Sequence, residues 1–445
     1  MDLVYKVKDK PSFGKIVLFA FQQLLAVMAA TIAVPAIVGN GLSASAALFG
    51  AGIGSIVYLL FTKSASPVFL GSSFAFIGSM FSAFAGAASL TIGYWGLIFG
   101  ALMAGLVYVV LAIIVKFGGV KWIDKLMPPV IIGPTVAIIG LSLAGNAVGD
   151  LMKANTDSGS TYVALICGLV TLFATMICST YSKKIGKLIP FIIGILAGYV
   201  TATIFFIIGK VSGNNALVVI DYTALTSLNW TKFSSYFSIP KFTFILGGLD
   251  GLKAITPAYL LTIFVAYVPV AFVVFAEHLA DHKNLSTIIG VDLLKEPGLT
   301  RTLLGDGIGS VMGAFFGGCP NTTYGESIGC VALTKNASTI TIWGCAILCI
   351  LFSLLTPIVS FLETIPSCVM GGVCITLYGF IAVSGLKMFQ QVDLSKNRNL
   401  FVASVILITG VGGMIVKFGA VEIRTVACAL ILGILTNLAL SLKDK

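Results

Sequence analysis

The sequence predicts an all-α integral membrane protein of fourteen transmembrane segments, arranged as two inverted seven-span repeats, with short extended strands interrupting spans 3 and 10. Three observations lead there. The 445 residues are 58% hydrophobic and 10% charged, with mean hydropathy +1.06, whereas a soluble chain carries about a quarter of its residues charged. Apolar runs of bilayer-crossing length, roughly 20 residues, recur from end to end. Basic residues concentrate in alternate connections.

The first seven runs lie near 14–38, 44–62, 67–86, 92–115, 126–148, 161–181 and 187–209. The other seven lie near 256–280, 302–317, 319–334, 339–361, 366–386, 399–416 and 422–441. More runs of its kind follow the first, which therefore reads as a true span and not as a cleaved signal. With the N-terminus cytoplasmic, only Lys153, Lys210, Lys232, Lys241, Lys253, Lys417 and Arg424 of the 27 basic residues fall outside. The rest, including Lys6, Lys8, Lys10, Lys15, Lys63, Lys116, Lys121, Lys125, Lys183, Lys184, Lys187, Lys335, Lys443 and Lys445, fall inside. That asymmetry fits an even number of spans in the inner (cytoplasmic) membrane with both termini cytoplasmic. The net charge of +10 therefore reports topology and not a nucleic-acid partner.

The polar interval 211–255 divides the chain into a first repeat, 1–210, and a second, 256–445. Halves with an odd number of spans must be inverted relative to one another. The start of the fifth run, Met127-Pro128-Pro129-Val130-Ile131-Ile132-Gly133, aligns with that of the twelfth, Ile365-Pro366-Ser367-Cys368-Val369-Met370-Gly371, with Pro and Gly in register. Seven spans also separate the third run, with Pro67, Gly71, Ser72, Ser73 and Gly78, from the tenth, with Pro320, Asn321, Thr322, Thr323 and Gly325. Neither has the composition of a continuous helix. Non-helical backbone at membrane depth belongs where it lines a cavity, and paired broken segments mark a transporter site.

Glu277 and Glu326 lie within this apolar body, where a carboxylate is costly unless it serves a function. Glu277 and Asp281 stack on one helical face, with His278 and His282 on the adjacent one. The plain reading of the two histidines is a solvated helix end, because the eighth run finishes there. For Glu326 the plain alternative is a buried carboxyl paired with Lys335 or a backbone group. Gly305-Asp306-Gly307-Ile308-Gly309 resembles a dinucleotide loop, but no strand precedes it, and small-residue helix packing is the better reading. Glu363 and Glu422 sit at span ends and read as interfacial. Cys167, Cys178, Cys345, Cys349, Cys374 and Cys428 fall inside spans as small hydrophobes, so no disulfide framework follows. No cofactor is implied.

Ala276-Glu277-His278 with Asp281-His282, Pro297-Gly298-Leu299, Pro320 to Gly329, Pro366 to Gly371 and Leu377-Tyr378-Gly379 together resemble the nucleobase/ascorbate transporter family, or nucleobase:cation symporter-2, in its uracil permease branch. The resemblance covers essentially the whole chain. Asn321-Thr322-Thr323-Tyr324-Gly325-Glu326 is its most specific part, and Ser72-Ser73-Phe74 stands where purine-transporting members carry Gln-His. The family implies a core domain from spans 1–4 and 8–11, a gate domain from spans 5–7 and 12–14, and often a homodimer. By residue match, Glu277 and Glu326 would bind the base through side chains and Phe74 and Gly325 through backbone N–H, with Tyr324 and Tyr378 lining the pocket. Asp281 departs from the best-studied uracil permease type, which has histidine there, so the proton role of that histidine does not transfer unchanged.

Uracil offers two ring N–H donors and two carbonyl acceptors, which suit two carboxyl groups and two free backbone N–H groups in a dry aromatic cavity. A neutral ligand leaves Glu277 and Asp281 without compensating charge at low dielectric, which favours uptake of a proton. The expected function is uracil:proton symport across the lipid bilayer. The rivals are the same fold carrying xanthine, urate or ascorbate, and an intramembrane metalloenzyme built on His278 and His282, which lacks the His-Glu-x-x-His order and a third ligand.

Overall fold

The computed structural model describes residues 3–119, 128–183, 186, 189–390, 392–418 and 421–441. Met127, Lys121, Lys125, Lys184, Lys187, Lys443, Lys445 and the Glu422 side chain lie outside the described residues. Among those described, eight helices are long and apolar enough to cross a membrane, and shorter apolar helices cover Thr339–Leu354, Asn397–Val411 and Thr425–Ser441. The protein is a predominantly helical, multi-pass membrane protein.

In chain order the first half comprises α1 (Phe13–Val38), α2 (Ala44–Phe61), β1 (Leu70–Ser72), α3 (Ile77–Ala85), α4 (Leu90–Gly118), α5 (Pro129–Ser142), α6 (Ala144–Leu151), α7 (Thr161–Tyr181) and α8 (Pro190–Ser212). The interval 211–255 is not featureless: it holds helical turns and α9 (Thr243–Lys253), which packs on α4. The second half comprises α10 (Pro257–Ile289), α11 (Leu299–Gly317), β2 (Asn321–Thr323), α12 (Gly325–Thr334), α13 (Thr339–Leu354), α14 (Thr356–Glu363), α15 (Ser367–Phe389), α16 (Asn397–Val411), β3 (Val416–Phe418), β4 (Val421–Ile423) and α17 (Thr425–Ser441). The fifth apolar run is two helices, α5 and α6, meeting at Leu143.

Helix packing falls into two groups. In one, α11 lies against α2 and α4, α13 against α1 and α2, and α10 against α4. In the other, α15 lies against α5, α6 and α7, α7 against α8, and α16 against α5 and α17. Small residues let these backbones approach, as expected between helices in lipid. A Cβ on Gly309 would come 2.8 Å from the Gly54 carbonyl oxygen. Outward faces carry exposed Leu106, Val110, Phe173, Ile177, Ile204 and Ile207, the surface a bilayer would cover. Pro128 and Pro366 are both N-cap residues, of α5 and α15, in extended backbone conformation. That position tolerates proline, because no intrahelical N–H bond is lost there.

The two Pro/Gly-rich segments fold alike and meet. β1 pairs antiparallel with β2, Leu70 opposite Thr323 and Ser72 opposite Asn321, and each strand leads into a short helix, α3 or α12. A three-residue strand has little stability of its own; polar side chains of neighbouring helices hold this pair. Ser55 on α2 accepts from the Leu70 N–H at 2.8 Å and donates to the Leu70 carbonyl at 3.0 Å. Asn321 donates to the Gly50 carbonyl at 3.1 Å. Ser327 accepts from the Phe69 N–H at 2.9 Å and is also bonded by Gln23 of α1.

Candidate functional site

A cavity of about 380 Å³ lies where the crossed strands face α5 and α15. One wall carries the polar groups and comes from β2, α10, α12 and the residues that follow β1 and β2: Ser73, Phe74, Glu277, Asp281, Thr322 to Glu326. The other wall is apolar except for Ser384, and includes Ile139, Phe191, Phe380 and Met388. Six residues singled out in the sequence, Phe74, Glu277, Asp281, Tyr324, Gly325 and Glu326, line this one cavity. Tyr378 does not line it; it is buried and lies edge-on to the Phe74 ring at a centroid distance of 5.9 Å.

Each polar group is positioned by a local device. Glu277 and Asp281 share a face of α10 one turn apart, and Thr323 donates to the Asp281 carboxylate at 2.7 Å. Glu326 sits in the first turn of α12, where exposed helix N–H groups favour a carboxylate. It makes no ion pair with Lys335 among the described residues; Lys335 caps the far end of α12 and is exposed. The Phe74 and Gly325 N–H groups have no protein acceptor among the described residues and lie on the cavity wall. Tyr324 folds across β1 and donates to the Ser72 carbonyl at 2.7 Å. Gly71 makes room for it: a Cβ there would lie 2.4 Å from the Tyr324 ring. The Ser73 and Thr322 hydroxyls are buried without protein partners. The site therefore offers carboxylate acceptors, amide and hydroxyl donors and a flat aromatic face to a small planar molecule.

The histidines do not form a solvated helix end. α10 runs on to Ile289, and His278 and His282 are 0% and 1% exposed. His278 lies 2.7 Å from Asp306 through Nδ1 and 3.0 Å from the Thr302 hydroxyl through Nε2. His282 lies 2.8 Å from the His278 carbonyl and 2.7 Å from the Tyr58 hydroxyl. Every ring nitrogen is thus engaged, which leaves none for a metal. Among the described residues no group of three His, Cys, Asp or Glu side chains is arranged to hold one. Small-residue packing around Asp306 is present, but the residue itself was missed as a partner. An aspartate in an apolar helix is the same signal that marks Glu277. All nine cysteines are free and buried. Glu363 is exposed at the end of α14.

A second cavity of about 360 Å³ shares Phe74, Ala75 and Ile139 with the first and extends toward Ala266 on α10 and Thr425 on α17. These three residues line both cavities, which lie at successive levels of α10.

Two helical groups flanking a cavity, with two broken segments crossing at its polar wall, define a membrane transporter. The fold is that of the murine Solute Carrier 26 family member A9 anion transporter in its inward-facing state, at TM-score 0.66 and 13% identity over 98% of this chain and 69% of that one. The family model described as Permease family matches residues 14–418, and the chain belongs to this family, the nucleobase/ascorbate transporters. It is 38% identical to the uracil permease of Bacillus caldolyticus over 98% of this chain and 94% of that protein. It is 37% identical to the uracil permease of Bacillus subtilis (strain 168), over the same shares. The family resemblance read from the motifs holds, and it makes the chain a transporter and not an enzyme.

Proposed function

We propose that the protein is a uracil:proton symporter that imports uracil across the cytoplasmic membrane by alternating access. The observation that carries this reading is the donor and acceptor pattern of the cavity's polar wall: Glu277 and Glu326 carboxyls with the Phe74 and Gly325 N–H groups, beside Tyr324. Uracil has two ring N–H groups for the carboxyls and two carbonyls for the amides. The near-complete likeness to uracil permeases supports the same substrate.

In this reading fourteen membrane segments form two inverted seven-span repeats. The short strands β1 and β2 break spans 3 and 10. The group containing α1–α4 and α10–α13 is the core that holds the substrate, and the group containing α5–α8 and α15–α17 is the gate. The shared lining at Phe74, Ala75 and Ile139 supports alternating access, because it borders two cavities that a relative movement of core and gate would open in turn. Both termini lie in the cytoplasm, the functional unit is a homodimer, and Asp281 with Glu277 takes the coupled proton. Competition against radiolabelled uracil uptake tests the substrate. Uracil should displace the label while xanthine, urate and ascorbate do not; displacement by a purine or ascorbate at equal concentration would overturn the assignment.

A further inference from the structure

Residues 3–9 precede the first long helix and belong to none of the elements that build the cavity, yet they are bonded to the C-cap of the helix that carries Glu326 and to the turn that follows it. Val4 and Tyr5 donate to the Lys335 carbonyl at 2.8 and 3.3 Å. The Ala337 N–H donates to the Tyr5 carbonyl at 2.9 Å, and the Thr339 N–H and hydroxyl donate to the Val7 carbonyl, both at 3.1 Å. The Ser338 hydroxyl donates to the Asp9 carbonyl at 2.6 Å. Tyr5 also ties the segment to α1, accepting from Lys15 at 2.9 Å and packing on Phe19 at 6.0 Å.

Side chains alternate along this extended stretch: Leu3, Tyr5 and Val7 turn inward while Val4, Lys6 and Lys8 are exposed. Leu3 and Val7 pack on a separate apolar cluster of Tyr58, Leu70, Leu285, Ile289, Ile328 and Val331. That cluster joins β1, the end of α10 and the body of α12, the three elements that present Phe74, Glu277 with Asp281, and Glu326 to the cavity. α12 has only ten residues, and a helix that short is marginal alone. At its far end Lys335 is left-handed, with φ 54°, and its carbonyl, which no further helical turn can satisfy, is taken by the strap.

We propose that residues 3–9 are a positioning strap for the substrate site, holding the C-terminal end of α12 so that Gly325 and Glu326 keep their place in the cavity wall. The strap acts at a distance of about 13 Å along the helix axis from Glu326, at 1.5 Å per residue. It rests on the proposed uracil site only for its functional consequence.

Thr339→Pro tests it. Thr339 is the first residue of α13, where proline is well tolerated, and Ser338 before it has φ −63° and ψ 119°, a conformation proline accepts in its predecessor. The substitution removes both bonds to Val7 and leaves the basic residues of the N-terminus intact. Hydrogen exchange of amides 325–334 in the purified variant should accelerate about tenfold, with α7 and α8 unchanged. The dissociation constant for uracil should rise about tenfold. Val7→Asn, which spares every backbone bond and weakens the apolar anchor, should move both readouts the same way. Exchange of 325–334 within twofold of wild type in both variants would overturn the strap. Failure of the wild-type protein to bind uracil would overturn the substrate reading and leave the exchange test standing.

Discussion

Thr323 of β2 donates its hydroxyl proton to Oδ2 of Asp281 on α10 at 2.7 Å, joining the crossed strands to the helix that carries Glu277 at the edge of the cavity. Threonine has one proton to give, so Asp281 is held by an acceptor-type contact and keeps its other oxygen for the cavity.

Asp281→Asn should therefore separate coupling from recognition. Asn can still accept from Thr323 but can neither bind nor release a proton, while Glu277 one turn away is unaltered. Uracil accumulation against a gradient should fail and the pH dependence of uptake between pH 5 and 8 should flatten. Binding in detergent should weaken less than in Glu277→Gln. Wild-type pH dependence with full accumulation would make Asp281 a structural residue.

Glu326→Gln should abolish high-affinity uracil binding in protein that still folds. The volume is kept, but an acceptor oxygen becomes an NH₂ facing a ring N–H. Losing a charge-assisted bond and adding a donor clash costs about 3 kcal/mol, roughly a hundredfold in affinity. Titration of purified mutant with uracil reads this directly, and unchanged affinity would remove Glu326 from the site.

Gly71→Ala probes the aromatic wall. The new Cβ would fall 2.4 Å from the Tyr324 ring, so the ring must leave its place over β1 or the strand must shift. Overpacking of this kind costs about 1–3 kcal/mol. Uracil affinity should drop about tenfold, and Tyr324→Ala in the same background should add little. Full additivity of the two changes would show that Gly71 acts elsewhere.

Asp306→Ala should act on stability and not on recognition, because Asp306 touches His278 behind the cavity and does not line it. Leaving the buried imidazole nitrogen unpaired costs about 1–3 kcal/mol, visible as a lower thermal midpoint in detergent. An unchanged midpoint would mean that a water or another side chain replaces the carboxylate.

The parts of this site that were legible in the sequence share one physical property: they are expensive at membrane depth. Glu277, Glu326 and the Pro/Gly-rich segments around Gly71 and Gly325 violate the pattern of an apolar helix and so announce themselves. What escaped reading depends on partners distant in sequence. His278 and His282 looked like the polar end of a span because their partners Asp306, Thr302 and Tyr58 come from α11 and α2. Helix α10 consequently runs nine residues beyond the apolar run, to Ile289. The family resemblance puts Tyr378 in the pocket, whereas its buried ring packs edge-on to that of Phe74 and does not line the cavity. The strap at residues 3–9 stands out in the sequence only for its lysines, and its alternation of Leu3, Tyr5 and Val7 with Val4, Lys6 and Lys8 is the one hint of a buried side.

The central claim is tested most directly by uptake of radiolabelled uracil into proteoliposomes that contain only this protein, in sodium-free buffer with an inward proton gradient. Uracil should accumulate above its equilibrium level, and a protonophore should return it to that level. Uptake that merely equilibrates, or that accumulates only when a sodium gradient is supplied, would contradict proton-coupled uracil import.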